Sequence, residues 1–339
     1  MGLFSFTQEL AIDLGTANTV IIHNDKVVVD EPSIVALDKR TDKLKAVGNE
    51  ARRMQGREHE GIRTVRPLRD GVIADFRAAE LMISGMLEKF QKKNRLFAPS
   101  LKLVVCIPSG STEVEVRAVR DSAEHAGGRD VYMIYEPMAA AIGIGIDVEA
   151  PAGCMIVDIG GGTTEIAVIS LGGIVSNKSI RIAGDEFTSD IINYMAQMHN
   201  MKVGERTAET IKINVGSAIA KLEDAPETYV VHGQNKTTAR PVTAHISYEE
   251  VAHCINKSLE KIEIAILSAL EQTPPELYTD VVQRGIYLTG GGALLRGLDK
   301  RLSDFLNIKF HVAEDPLLAV ARGTNIALKN TNNYSFLMR

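Results

Sequence analysis

At 339 residues the chain is too long for one ordinary hydrophobic core, and a bilobal molecule is expected. Its 45% hydrophobic and 24% charged content belongs to a globular protein without a long disordered tail, and a net charge of −5 gives no general attraction to nucleic acid. No apolar run approaches the roughly 18 residues of a spanning helix, the N-terminus lacks a secretory signal, and Cys106, Cys154 and Cys254 lie apart in apolar stretches, which predicts buried free thiols in the cytoplasm.

The first predicted element is a hairpin over Ala11-Ile12-Asp13-Leu14-Gly15-Thr16-Ala17-Asn18-Thr19-Val20-Ile21: an Asp ends an apolar run, a tight glycine turn follows, and an alternating strand returns. Residues 32–70 are polar and basic and form a small inserted subdomain, whose Arg52, Arg53, Arg57, Arg63, Arg66 and Arg69 read as a solvated face or filament contacts, since few aromatics interleave to stack bases. A helix is predicted from Asp75 to about Gln91, then a strand over Leu101–Ile107. The next helix opens with a capping box, Thr112 to Glu115, buries Val116, Val119 and Ala123, and stops at Gly127-Gly128. A short strand, Val131–Tyr135, leads into a helix with proline in its first turn, Glu136-Pro137. Strand and helix alternate, as in an α/β fold.

The second half repeats the plan with a hairpin over 154–180 containing Ile156-Val157-Asp158-Ile159-Gly160-Gly161-Gly162-Thr163-Thr164-Glu165-Ile166-Ala167-Val168. After a helical and then polar excursion over 182–245, Val251, Ile255, Leu259, Ile262, Ile266 and Leu270 mark the buried stripe of one long helix. A strand, Ile286-Tyr287-Leu288, then runs into Thr289-Gly290-Gly291-Gly292-Ala293-Leu294-Leu295, a turn expected to open one of two final helices.

Two hairpins with this pattern can hold a nucleotide's phosphates between two halves of a molecule. Glycines let backbone N–H groups approach phosphate, hydroxyls add hydrogen bonds, and Asp13 and Asp158 can hold a hydrated Mg²⁺. The third glycine turn lets a base or ribose lie against the backbone, or is an ordinary strand-to-helix turn. Glu136 is either a first-turn acid favoured by the helix dipole or the group that orients water toward a γ-phosphate. There is no Walker or dinucleotide glycine motif, the eight histidines lack metal spacing, and Ser109-Gly110-Ser111 is not a nucleophile elbow.

In this order the motifs resemble those of the actin, heat-shock chaperone and sugar-kinase superfamily of ATPases. Phosphate 1 corresponds to Asp13–Thr19, connect 1 to Glu136–Gly145, phosphate 2 to Asp158–Thr164, the adenosine motif to Gly290–Leu294 and connect 2 to Pro316–Gly323. Within it, Asp70-Gly71-Val72-Ile73-Ala74-Asp75-Phe76 and Tyr135-Glu136-Pro137-Met138-Ala139-Ala140-Ala141-Ile142-Gly143 resemble the bacterial actins of the MreB family, which set rod shape.

The resemblance implies an α/β actin-like fold of two RNase H-like domains, each with a small appended subdomain, around ATP and Mg²⁺. The first core would comprise residues 1–31, 71–146 and 315–339 with subdomain 32–70, the second 147–181 and 246–314 with subdomain 182–245. It implies that Gly15, Thr16, Ala17, Asn18 and Gly160 to Thr163 hold phosphates, that Asp13 and Asp158 hold the metal through water, and that Glu136 and Thr163 position the attacking water in a slow ATPase. Glu209, Thr210, Ile211 and Lys212 match the segment that meets ribose and adenine, with Gly290, Gly291, Gly292 and Ala293 opposite.

It further implies head-to-tail protofilaments paired antiparallel on the inner face of the cell membrane, working with membrane proteins of cell-wall elongation. Independently, Lys89, Lys92, Lys93 and Arg95 lead into Leu96-Phe97, a basic and apolar pairing suited to an anionic lipid surface, or a solvated loop with a core-facing pair. Gly2-Leu3-Phe4-Ser5-Phe6 is apolar, but the first ten residues hold no basic residue, unlike members with a basic amphipathic anchor. The competing readings are a small-molecule kinase, which needs an acceptor-side base that no acid here offers, and a chaperone ATPase module, which would continue into a peptide-binding domain.

Overall fold

The computed structural model describes residues 7–91 and 100–339. The first half runs through β1 (Thr7–Leu14), β2 (Asn18–His23), β3 (Lys26–Pro32), β4 (Val35–Asp38), β5 (Leu44–Val47), α1 (Asn49–Met54), β6 (Ile62–Val65), β7 (Leu68–Arg69), β8 (Val72–Ile73), α2 (Phe76–Gln91), β9 (Ser100–Ile107), α3 (Glu113–His125), β10 (Gly128–Tyr135) and α4 (Glu136–Gly143). The second runs through β11 (Cys154–Ile159), β12 (Thr164–Ser170), β13 (Gly173–Ile180), α5 (Gly184–Met198), β14 (Met201–Lys202), α6 (Glu205–Val215), β15 (Tyr229–Asn235), β16 (Pro241–Ile246), α7 (Tyr248–Cys254), α8 (Asn256–Glu271), α9 (Pro275–Arg284), β17 (Ile286–Thr289), α10 (Leu298–Leu306), β18 (Phe310–Val312) and α11 (Ala319–Lys329).

The halves share one sheet plan. Five strands lie in the order β3-β2-β1-β9-β10 in lobe I and β13-β12-β11-β17-β18 in lobe II, with the same antiparallel and parallel neighbours in each. The two Asp-bearing hairpins therefore occupy equivalent places. Strands β11 and β12 are buried along their whole length, which is why their sequences are almost continuously apolar. Small three-stranded sheets, β5-β4-β6 and β14-β15-β16, are appended to the two lobes.

Each lobe has its own core, and a third apolar cluster lies between the sheets where α4 and α11 cross. The run of small residues in α4 has its explanation here. A Cβ on Gly323 would sit 1.7 Å from the Ala139 carbonyl oxygen, and one on Gly143 would sit 1.8 Å from that of Ala319, so the helices meet backbone to backbone.

Most predicted elements are present, including the capping box of Thr112 and Glu115. Three differ. The predicted long helix is broken at Ile255 into α7 and α8, although its stripe stays buried throughout. The triple glycine opens only a 3₁₀ turn, Gly291–Leu294, because glycine is a poor helix former, and α10 begins later, after Gly297. Helix α9 and strand β18 were not anticipated.

Candidate functional site

A cavity of about 630 Å³ opens between the lobes, within the usual range for a small-molecule site. Both hairpin turns face it and touch each other. A Cβ on Gly161 would lie 2.7 Å from Ala17 Cβ, and one on Gly162 would lie 2.8 Å from Thr16 Oγ1, so side chains at these glycines would force the lobes apart. Gly71 joins the turns: its N–H donates to Thr16 Oγ1 at 3.1 Å, and a Cβ on it would lie 2.7 Å from Thr163 Cγ2. The first turn is braced by the Ser33 hydroxyl, which donates to the Gly15 carbonyl at 2.6 Å. The second is tied to the start of α5, where the Asp185 N–H donates to the Gly161 carbonyl at 2.7 Å.

Four carboxylates gather at the floor. Asp158 is buried and Asp13 half-buried, and desolvation pushes them up to about 7 and about 6. Cys106 donates its S–H to Asp13 Oδ1 at 3.0 Å, and Thr289 its hydroxyl to Asp158 Oδ1 at 2.8 Å. Glu136, at the first turn of α4, is held well above the usual carboxylate range by burial and then by the charges of Glu165, Asp158 and Asp13. Glu165 is fully buried and takes hydrogen bonds from the Ser109 N–H (3.0 Å) and hydroxyl (2.6 Å), which tie lobe I to lobe II beneath the cavity, and from the Ser179 hydroxyl (2.6 Å) on the neighbouring strand of its own sheet.

Asp13 and Asp158 have no cationic partner among the described residues, and such a pair suits a hard divalent cation. The described residues hold no group of three or more His, Cys, Asp or Glu side chains placed to hold a metal ion.

On α6, Glu209 and Lys212 lie one turn apart and line the cavity; Lys212 Nζ is 2.7 Å from Glu209 Oε2 and donates to the Gly184 carbonyl at 2.8 Å. Gly290, with φ +77°, lets its turn pass so close to β11 that a Cβ would fall 2.4 Å from the Ile159 carbonyl oxygen. Three predicted residues are not in the cavity lining. Thr210 turns its hydroxyl to the Arg206 carbonyl, and Ile211 and Ala293 point into the core of lobe II, as the helical period and the 3₁₀ turn dictate. Leu96 and Phe97 lie outside the described residues, as do Gly2 to Phe6.

Sequence reading missed two groups. Ile213, Leu294 and Leu317 line the cavity with exposed aliphatic side chains beside the Gly290–Gly292 turn. Arg66, assigned to a solvated or filament face, instead spans the cleft: Nη1 donates to Glu205 Oε1 at 2.6 Å, and Nη2 to Asp185 Oδ2 at 2.7 Å and the Thr16 carbonyl at 3.3 Å. Gln55 adds a bond to Glu205 at 3.2 Å. No local pattern marks such a residue, since its two carboxylate partners lie more than 100 positions away.

The MreB/Mbl protein family model matches residues 7–335. The chain is 44% identical over 326 residues to the cell shape-determining protein Mbl of Bacillus subtilis strain 168, covering 96% of this chain and 97% of the relative. It is 46% identical over 331 residues to the cell shape-determining protein MreB of Escherichia coli K12, covering 96% and 94%. The crystal structure of MreB5 of Spiroplasma citri bound to AMPPNP superposes with a TM-score of 0.90 at 36% identity, covering 96% of this chain and 97% of that one.

Proposed function

Because the chain belongs to the MreB/Mbl family, we propose that it is an actin-like cytoskeletal protein that determines cell shape and whose assembly is governed by a bound adenine nucleotide. The observation that carries the reading is the meeting of two Asp-bearing hairpin turns and the Gly290–Gly292 turn around one cavity. Identity of 44% and 46% over nearly the full length of proteins named for determining cell shape favours it over a small-molecule kinase, and the AMPPNP in the Spiroplasma structure supports a nucleotide in the cleft.

In this reading Gly15, Thr16, Ala17, Asn18 and Gly160 to Thr163 hold the phosphates with backbone N–H groups and hydroxyls. Asp13 and Asp158 receive Mg²⁺ through water, and the ion neutralises charge on the phosphates when bound. Glu136 and Thr163 orient the attacking water. Burial and then the neighbouring carboxylates favour the protonated form of Glu136, which lowers the fraction able to take a proton from water, in keeping with slow hydrolysis that times disassembly rather than serving metabolism. Glu209 and Lys212 face the ribose, and Ile213, Leu294 and Leu317 give the base apolar walls. The cores and subdomains divide at the residues that the resemblance implies.

The filaments are head-to-tail and pair antiparallel, a heterologous contact that does not close on itself. No helix among the described residues is long and apolar enough to cross a membrane; peripheral attachment to the inner face of the cell membrane is assigned to the Leu96-Phe97 segment, with elongation-machinery membrane proteins as partners and no role for nucleic acid. Pelleting with ATP and anionic liposomes tests this. The chain should sediment with both, and Leu96→Ser with Phe97→Glu should abolish the lipid-dependent part alone. A protein that stays monomeric with ATP and lipid while phosphorylating a sugar would overturn the reading. Glu136→Ala should keep nucleotide affinity and lose phosphate release; unchanged turnover removes Glu136 from that role.

A further inference from the structure

The duplication extends past the hairpins to the strand lying parallel beside each. In lobe I, β9 runs alongside β1 with Val105 opposite Ile12, which carries Cys106 to the level of Asp13. In lobe II, β17 runs alongside β11 with Thr289 opposite Asp158. Cys106 and Thr289 thus hold the same position in the two copies of the plan. Each is buried, at 2% and 0% exposure. Each donates to Oδ1 of its aspartate, at 3.0 and 2.8 Å, and these are the only hydrogen bonds to either carboxylate among the described residues.

Their neighbours on the two strands, Val104, Val105 and Ile107 on β9 and Ile286 and Leu288 on β17, are buried apolar residues, as a core strand requires. A Val or Ile at either position would pack as well, yet both positions carry a side chain with a proton to give. An isolated carboxylate on a strand end rotates freely about its last torsion. One oxygen held from behind fixes the plane of the group.

We propose that Cys106 and Thr289 are matched positioning residues, each fixing one of the two cavity-facing aspartates so that the pair presents its remaining oxygens in register to a divalent cation carried by the nucleotide. The inference rests on the nucleotide and Mg²⁺ reading above. Outer partners of metal-holding groups typically change metal affinity about 10–100-fold when removed. The thiol is the weaker donor, so Thr289 should matter more than Cys106.

The test uses the full chain and a fluorescent ATP analogue, with binding followed as Mg²⁺ is raised from an EDTA-buffered start. Thr289→Val should raise the Mg²⁺ concentration for half-maximal binding by about tenfold or more, and Cys106→Ala by less. Analogue affinity in EDTA should stay at the wild-type value, and the melt in EDTA should stay cooperative. Thr289→Ser and Cys106→Ser, which keep a donor, should restore the wild-type Mg²⁺ dependence. An unchanged Mg²⁺ midpoint in Thr289→Val overturns the proposal, as does an equal loss of affinity with and without Mg²⁺, which would mark a merely structural role. Should Cys106→Ala not melt cooperatively, Thr289→Val and the two serine variants decide the matter. Wild-type protein that binds the analogue without regard to Mg²⁺ would instead overturn the metal reading on which the proposal stands.

Discussion

Replacing Gly323 by Ala is the smallest change that should disturb both the architecture and the chemistry. The added methyl carbon would lie 1.7 Å from the Ala139 carbonyl oxygen, 2.5 Å from its carbon and 2.9 Å from the Gly143 nitrogen. Ordinary contact begins at about 3.4 Å, so α4 and α11 must separate by roughly 1.7 Å locally. Over-packing that side chains can absorb costs about 1–3 kcal/mol. Here the obstacles are backbone atoms in two buried helices, which places the cost at the upper end, about 3 kcal/mol. At roughly 2–4 °C per kcal/mol for a domain of this size, the melting temperature should fall by about 6–12 °C. The same displacement moves the first turn of α4, which carries Glu136, so phosphate release should fall more than nucleotide affinity does. Circular-dichroism melts and a phosphate-release assay measure the two effects. Gly173→Ala, whose Cβ would meet nothing nearer than 3.7 Å, serves as the neutral control. A Gly323→Ala protein that melts within about 2 °C of the wild type, with unchanged turnover, would refute the backbone-to-backbone crossing.

Three other outcomes are expected. Arg66→Ala removes two partly solvated charge pairs worth up to about 1 kcal/mol each, so stopped-flow release of a labelled nucleotide should quicken by about tenfold and lose most of its salt dependence; release at the wild-type rate would show that the bridge does not restrain the cleft. In EDTA, Asp13 and Asp158 have folded pKa values of about 6 and about 7 against 3.8 for the unfolded group. The folded state therefore binds more protons between about pH 4 and 7, and stability falls as pH rises through that window, by up to about 3 kcal/mol for Asp13 and about 4 kcal/mol for Asp158, each taken alone at about 1.36 kcal/mol per unit. Urea melts of wild type against Asp158→Asn should converge near pH 4 and diverge in favour of the variant toward pH 8, and a constant gap would contradict the burial of that charge. Glu165→Gln turns an amide N–H₂ or a weaker acceptor toward three donors and should cost about 1–3 kcal/mol; an unaltered melt would mean that the Ser109 and Ser179 bonds hold nothing together.

What could be read from the sequence was what neighbouring residues encode together. The Asp-Gly hairpins, the Thr112 capping box and the Pro137 helix start are local agreements of turn, cap and period, and all three are present. Ile255 shows where local reading fails. Its apolar spacing continues across the break, and neither Gly nor Pro marks the point where α7 gives way to α8. The cavity residues Glu209 and Lys212 came from family resemblance, since on a helix surface they are only another charge pair. Thr210 and Ile211 came with them and fall elsewhere, because a helix turns adjacent residues about 100° apart. Arg66, and the apolar wall of Ile213, Leu294 and Leu317, depend on contacts between distant segments, and only the assembled cleft reveals them.

The crowd of acids beneath the cavity works as a conjunction. Glu165, Asp158 and Asp13 hold Glu136 toward its protonated form, so on the proposed nucleotide and Mg²⁺ reading a polyphosphate arriving without its cation would bind more weakly than the pair. A floor built this way would favour the charged complex over either component alone.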